Sequence, residues 1–305
     1  MRWQLEAALK QGLSRVPRGP MLYRWLQRRG GRLATVDVSD YWPERGRVLA
    51  LAEANGISPY GARILEIGTG WHPVLAIVAA LRGAQQVTTI DLNPWLDRET
   101  LRAAAAAALE IVTTADDVDA RRTALVRQLA NEQSSAAAVS SALRSLDIEY
   151  LAPSDATALP HEAESFDLVV HSDVFEHVPP HVIPQILREC RRVLRPGGLH
   201  VARICPGDHF ADRDRRITTA HHLRFSERSW RWIGGSGLAY HNRIRGGDHV
   251  RSFADAGYRV VEVHRRIDER ARDALAGGTE RPHARFAGYD LEDLATTSLH
   301  LVARA

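Results

Sequence analysis

Arg63-Ile64-Leu65-Glu66-Ile67-Gly68-Thr69-Gly70 is the stretch that decides the fold. Its first five residues are mostly apolar, two of them β-branched, and the run stops at a glycine. Such a run reads as a short buried strand. The glycines behind it can take positive φ and let the backbone approach a ligand closely. Val74–Leu81 then reads as a helix stopped by Gly83, and Gln86-Val87-Thr88-Thr89-Ile90-Asp91 as a second strand. Strand, glycine turn, helix and strand within about 30 residues make a βαβ unit, which demands parallel strands.

Downstream the alternation continues. Ile148-Glu149-Tyr150-Leu151 is a third strand and Phe166–His171 a fourth, largely apolar as a central strand should be. Pro184–Leu194 is a helix closed by Arg195-Pro196-Gly197-Gly198, and Leu199–Ile204 is a fifth strand. Leu96–Leu146 is mostly helical by pattern and includes the alanine run Ala103–Ala108. It is longer than one crossover needs, so an inserted helix or lid is expected. Cys205–His249, rich in His, Arg, Gly and Trp, reads as a loop-and-helix excursion. Val250–Ala256 is a helix, Tyr258–His264 a sixth strand and Ser298–Ala303 the last, with another insertion at Arg265–Tyr289. Upstream, Trp3, Leu5, Leu9 and Leu13 recur at helical spacing, and Met21–Arg29 and Val48–Asn55 are further helices. The expected organisation is an N-terminal helical cap over 1–60 and a core over 61–305, with insertions near 96–146 and 207–249. There is no internal repeat.

The 305 residues carry 40 basic and 37 acidic side chains, a formal charge of +3. That balance gives no nucleic-acid footprint, and the local clusters Arg24–Arg32 and Arg213–Arg216 read as solvated faces. Two cysteines, Cys190 and Cys205, make neither a disulfide framework nor a metal-ligand spacing. Met1–Lys10 includes Glu6 and no long apolar run, so it does not read as a signal peptide. No stretch approaches the ~20 apolar residues of a membrane span. The expectation is a soluble, cytoplasmic chain.

Four stretches sit in order at strand C-terminal ends, where open parallel sheets bind ligands. They are the turn Glu66–Gly70, Asp91-Leu92, Asp155-Ala156, and Phe166–Val178 with His171 and Ser172 inside it. Each alone has an ordinary reading: a tight turn, a helix-capping Asp, a solvated loop Asp, a core strand. Together they are harder to assign to chance.

In these motifs the chain resembles the class I S-adenosylmethionine-dependent methyltransferases. Ile64–Gly70 is similar to that family's first motif, Asp91 to its ribose-binding acid, and Asp155-Ala156 to the pair bracketing the adenine. Phe166–Val178 resembles its Phe-Asp-x-Val stretch running into Glu-His-Val, and Leu194–Gly198 its turn before the fifth strand. The likeness covers about residues 62–206. It departs where Trp71-His72-Pro73 replaces the third glycine. The resemblance implies an α/β, Rossmann-like seven-stranded sheet ordered 3-2-1-4-5-7-6 with an antiparallel last strand. It also implies S-adenosyl-L-methionine as cofactor, held by Glu66, Gly68, Thr69, Gly70, Asp91, Leu92, Asp155, Ala156, His171 and Ser172.

Arg224-Phe225-Ser226 and His241–Arg245 resemble methyltransferases of polysaccharide and natural-product pathways. That implies a small-molecule acceptor, a sugar or secondary metabolite, methylated on oxygen. A hydroxyl acceptor needs a base, usually histidine near neutral pH. His171, His177, His181, His221, His222 and His241 are the candidates, with His177, His221 and His222 preferred. Asp173, Glu176 and His177 share a helical face and could hold a divalent ion, but Asp is a short arm there and no metal is expected. Trp230, Trp232 and Tyr240 around Gly234–Gly237 suggest a mobile aromatic flap. An RNA or protein methyltransferase is the second reading, disfavoured by the near-neutral charge. A nicotinamide-dependent oxidoreductase is the third, and it would need glycine where Pro73 stands. The oligomeric state stays open.

Overall fold

The protein is described by a computed structural model over residues 2–17, 19–29, 34–112, 118–131, 138–238 and 240–305. Four helices come first: α1 (Trp3–Arg15), α2 (Gly19–Arg29), α3 (Val38–Arg45) and α4 (Arg47–Ala54). Then follow β1 (Arg63–Ile67), α5 (Val74–Leu81), β2 (Gln86–Ile90), α6 (Arg98–Val112), α7 (Ala120–Asn131), α8 (Val139–Arg144), β3 (Ile148–Leu151) and β4 (Phe166–Ser172). The second half holds α9 (Ile183–Val193), β5 (Leu194–Ile204), α10 (Glu227–Ile233), α11 (Gly246–Asp255), β6 (Arg259–Ile267), α12 (Glu269–Ala276), α13 (Leu291–Ala295) and β7 (Thr296–Arg304).

The strands form one sheet ordered β3-β2-β1-β4-β5-β7-β6. The first five are parallel, and β7 runs antiparallel between β5 and β6. The order reverses between β1 and β4, so their following loops leave in opposite directions and open a crevice at the carboxyl edge. Side chains alternate between two apolar layers, as strand geometry requires. Ile64, Val87, Ile148, Leu168 and Val201 pack with α4, α5 and α6 on one face. Leu65, Ile67, Val169 and Ala202 pack with α9 and Phe253 of α11 on the other.

The described residues between 96 and 146 form α6, α7 and α8. All eight residues of α5 are buried, in part against α6 and α7. The alanine run of α6 buries five small side chains, which lets α6 lie close against α5 and α7. Arg122 anchors α7. Its Nη1 donates to the carbonyls of Ala80 and Ala84 at 2.7 Å each, and its Nη2 to Asp147 at 2.8 Å. Parts of the Arg24–Arg32 run and of the polar stretch Asp116–Asp119 lie outside the described residues.

Several boundaries differ from the sequence reading. Helix α3 was not expected, because it is short, contains Pro43 and buries its apolar residues Val38, Tyr41 and Trp42 only in part. Its start is fixed by Asp37, whose carboxylate accepts from Ser39 N and Asp40 N. Helix α11 begins at Gly246 rather than Val250, because the Asp248 carboxylate reaches back to accept from Arg245 N at 3.2 Å. Strand β5 begins at Leu194, paired with Phe166, and a register shift absorbs the glycine turn before Leu199.

Arg245 is a fully buried guanidinium. It donates to the carbonyls of Pro206, Asp293, Leu294 and Thr296 at 2.8–3.2 Å. It therefore ties the loop after β5 to the start of β7. Burial pushes its pKa down to about 10, so it stays charged at neutral pH. Arg245→Ala leaves these buried carbonyls without donors and opens a cavity. It is expected to lower unfolding stability by ~3 kcal/mol or more in urea titrations; a loss below ~1 kcal/mol would show that the carbonyls find other donors.

Candidate active site

The turn after β1 opens the crevice. Gly68 has φ of +83° and Gly70 of +63°, where a side chain is strained. A Cβ on Gly68 would fall 2.5 Å from Val174 Cγ2, so the backbone passes directly against the turn after β4. A Cβ on Gly70 would meet nothing within 4 Å, so the space above it is open. Gly68 N and Thr69 N donate to Ile90 O at 2.8 and 3.1 Å, which folds this turn onto the end of β2.

Asp91 stands at that end. Its Oδ2 accepts from Gly70 N and its Oδ1 from Asn93 N, both at 2.9 Å. The carboxylate is thus pinned to the glycine turn, and partial burial raises its pKa. Glu66 is buried, and its carboxyl accepts from Thr89 Oγ1 at 2.6 Å. With that proton used, Thr69 Oγ1 donates in turn to Thr89 Oγ1 at 2.7 Å. Burial pushes Glu66 up to about 7, and the Asp91 charge adds to the effect. Tyr41 of α3 feels the Glu66 charge and is itself pushed up to about 12, chiefly by burial.

Leu92 is exposed at 65% and Ala156 is buried, so both offer apolar contact. Asp155 is exposed, and its Oδ1 accepts from Thr157 N and Oγ1 at 2.9 and 2.8 Å. Trp71 packs on Trp95 with centroids 4.4 Å apart, beside the departure from the glycine motif. The Ser172 hydroxyl is buried without a protein partner. An open glycine cradle, a fixed carboxylate, apolar contacts and an orphaned hydroxyl fit the nucleoside and amino-acid ends of S-adenosyl-L-methionine.

His171 corrects the sequence reading. It is fully buried on the α9 side of the sheet, 4.0 Å from Phe175 and 5.3 Å from His200 between ring centroids. Neither ring nitrogen has a partner, and burial pushes the pKa well below the usual value. It packs beneath the crevice rather than lining it.

The turn after β4 carries a second set of polar groups. Asp173 adopts φ of +58° and pairs with Arg203 and, at 2.8 Å, with Arg45 of α3. Those two guanidiniums occupy it, so it does not complete a ligand set with Glu176 and His177. Glu176 is fully buried; Oε1 accepts from Cys205 N at 3.1 Å and Oε2 has no partner. Among the described residues, the group able to surround an ion is Glu176, Cys205 and His209, with ligand atoms within 4.8 Å of one another. Burial pushes Glu176 up to about 8 and Cys205 up to about 11, and the thiol donates to Thr297 O at 3.2 Å. As it stands this is a neutral donor set, from which a cation would have to displace protons.

His177 is exposed, and its Nδ1 lies 2.7 Å from Tyr240 O. Its ring stands 5.2 Å from His209 and 6.0 Å from His241, which is 5.6 Å from His222. Burial lowers the pKa of all four. Asn242 clamps the His177 turn: its Nδ2 donates to Phe175 O and Val178 O at 2.6 and 2.8 Å. His221 and His222 are buried, not on a polar surface loop. His221 contacts Asp208 at 3.3 Å and the Trp3 ring, and His222 has no partner at either nitrogen. Trp230 is buried as well, donating to His241 O at 2.8 Å and packing with Phe210 and Ile233. The expected flap is therefore a packed core on that side; Trp232 alone stays exposed. His209 and Asn242 escaped the sequence reading, since His209 lies in a loop without periodicity and Asn242 carries no motif of its own.

Residues 65–202 match the family described as "Methyltransferase domain". No curated protein matches the chain in sequence. Among solved structures, the chain is similar to an S-adenosylmethionine-dependent methyltransferase from Mesorhizobium loti (17% identity, 84% of this chain and 96% of that one, TM-score 0.47). It is also similar to the partner of the Trm112 methyltransferase activator from Haloferax volcanii (19%, 92% and 94%, 0.48). A third is phosphoethanolamine N-methyltransferase 2 from Haemonchus contortus, solved with S-adenosylhomocysteine (18%, 85% and 52%, 0.46). At these levels the neighbours say nothing of this chain's acceptor. The matched domain, the strand order and the crevice at its reversal support a class I S-adenosylmethionine-dependent methyltransferase.

Asp91→Ala is expected to weaken S-adenosylhomocysteine binding ~10–100-fold by calorimetry, the scale of a lost charged hydrogen bond. Unchanged affinity would remove Asp91 from the cofactor site. Gly68→Ala, which forces Cβ against Val174, should weaken binding as well, with part of the effect appearing as lost stability.

Proposed function

We propose that the protein methylates a hydroxyl of a small molecule, a sugar or secondary metabolite, with His177 as general base. The observation that carries this reading is the bond at Nδ1. A carbonyl can only accept, so Tyr240 O holds the ring proton at Nδ1 and leaves the Nε2 lone pair free. Burial of the surrounding chain lowers the pKa of His177 and favours the neutral, basic form at neutral pH. His177 is also the exposed member of the three preferred base candidates, whereas His221 and His222 are buried.

When bound, S-adenosyl-L-methionine supplies an electrophilic methyl group on a sulfonium sulfur. Gly68, Thr69 and Gly70 would receive it along the backbone, Asp91 would accept its ribose hydroxyls, and Leu92 and Ala156 would flank its base. The chain's remaining work is to orient the acceptor hydroxyl, where proximity is the large term, and to take its proton at His177 Nε2. Asn242 keeps that nitrogen aimed by fixing the Phe175–His177 turn. The helices of 1–60 act as a cap, and the insertions at 96–146 and 207–249 shape the acceptor side. The setting that fits is the cytoplasm, with no nucleic-acid partner.

His177→Gln should lower kcat by ~10²–10⁴-fold, the usual contribution of a positioned base, while S-adenosylhomocysteine affinity is unchanged. Mass spectrometry of the methylated product should place the new methyl on oxygen. An unaltered kcat removes His177 from the role, and a methyl on nitrogen or carbon overturns the hydroxyl reading.

A further inference from the structure

The first two helices leave an apolar face that nothing among the described residues covers. On one side α1 sets Trp3 and Ala7 against Phe210, Trp230 and Ile233. On its other side Leu5 and Leu9 are 62% and 48% exposed, and Val16 beyond it 52%. Helix α2 exposes Met21, Leu22, Trp25 and Leu26, whose spacing of i, i+1, i+4 and i+5 forms a single stripe. Of the twelve large hydrophobic side chains exposed among the described residues, seven lie between Leu5 and Leu26. Trp232, also exposed, adjoins them, since Gln11 of α1 donates to its carbonyl.

The same segment concentrates positive charge. Residues 1–32 hold eight Lys and Arg against the single acid Glu6, a net +7. The other 273 residues hold 32 basic and 36 acidic side chains, a net −4. Arg29 lies over the Trp25 ring at 4.2 Å, joining the cationic and apolar elements on one surface.

We propose that α1 and α2 form a docking face for an anionic lipid bilayer, on which the protein lies without crossing. The pairing of exposed Leu, Met and Trp with Arg fits an interface where apolar tips enter the headgroup boundary and guanidiniums meet lipid phosphates. A nucleic-acid surface has no use for the aliphatic stripe. A second copy would bring two faces of +7 together against their mutual repulsion. No helix among the described residues is long and apolar enough to span a membrane, so contact is at the surface.

The test is co-sedimentation of the full chain with vesicles of phosphatidylcholine alone or mixed with phosphatidylglycerol. Binding to the mixed vesicles is expected, with little to phosphatidylcholine and progressive release as salt rises. Two variants separate the contributions: Leu22→Ser with Trp25→Ser and Leu26→Ser, and Arg28→Glu with Arg29→Glu. Each should weaken vesicle binding by about tenfold or more, while S-adenosylhomocysteine affinity is retained as proof of folding. Absence of binding to the mixed vesicles, or equal binding by both folded variants, overturns the proposal. So does concentration-dependent dimerisation in analytical ultracentrifugation that the triple-serine variant abolishes, since the face would then belong to a second copy.

Discussion

The passage of the Gly68 backbone against Val174 is the contact on which the rest of the site depends. Strands β1 and β4 are neighbours whose helices pack on opposite faces, so their outgoing turns must share one narrow gap. Glycine meets both demands there, a positive φ and the absence of a Cβ. Because the turns touch, the groups fixed by one are registered against the groups fixed by the other. Asp91 is pinned to the first turn through Gly70 N, and the Phe175–His177 turn follows Val174 directly. The groups carried by the two turns are thereby set at a distance that neither loop could define by itself.

Much of this was legible beforehand because it is local. Strands β1 and β3 and helix α5 carry their identity in short apolar runs with clear stops, and their bounds agree with the expectation to the residue. The sheet order and the methyltransferase class followed from motifs spaced along strand ends. What could not be read was set by contacts between distant segments. His171 looked like a pocket residue from its place at a strand tip; only its packing on Phe175 and His200 shows that it is buried. Trp230 looked like a flap residue until its partners from α1 and the loop after β5 were known. Helix α3 is short, with Pro43 inside it and its apolar residues Val38, Tyr41 and Trp42 only partly buried on the core, and its Arg45 pairs with Asp173 and its Glu44 with Arg203 and Arg266.

Those ion pairs place α3 against the turn after β4. Glu44 also accepts from Ser298 and, through its carbonyl, faces His300 of β7. Helix α3 is thus fastened to β5, β6, β7 and the turn after β4, with Tyr41 carried close to Glu66. Behind it the four histidines make a polar yet largely uncharged lining, since burial disfavours the imidazolium in each.

The split between a +7 leading segment and a −4 remainder makes the molecule a charge dipole as well as a carrier of patches. A dipole in a field feels torque before it makes contact. Within a Debye length or so of a negative surface, about 8–10 Å at ordinary ionic strength, one end is drawn in and the other held off. The protein would therefore arrive already turned, with its body facing away from the surface. The orientation of the crevice relative to any such surface is then decided during approach, by the distribution of arginines along the chain, and not by a search among docked poses.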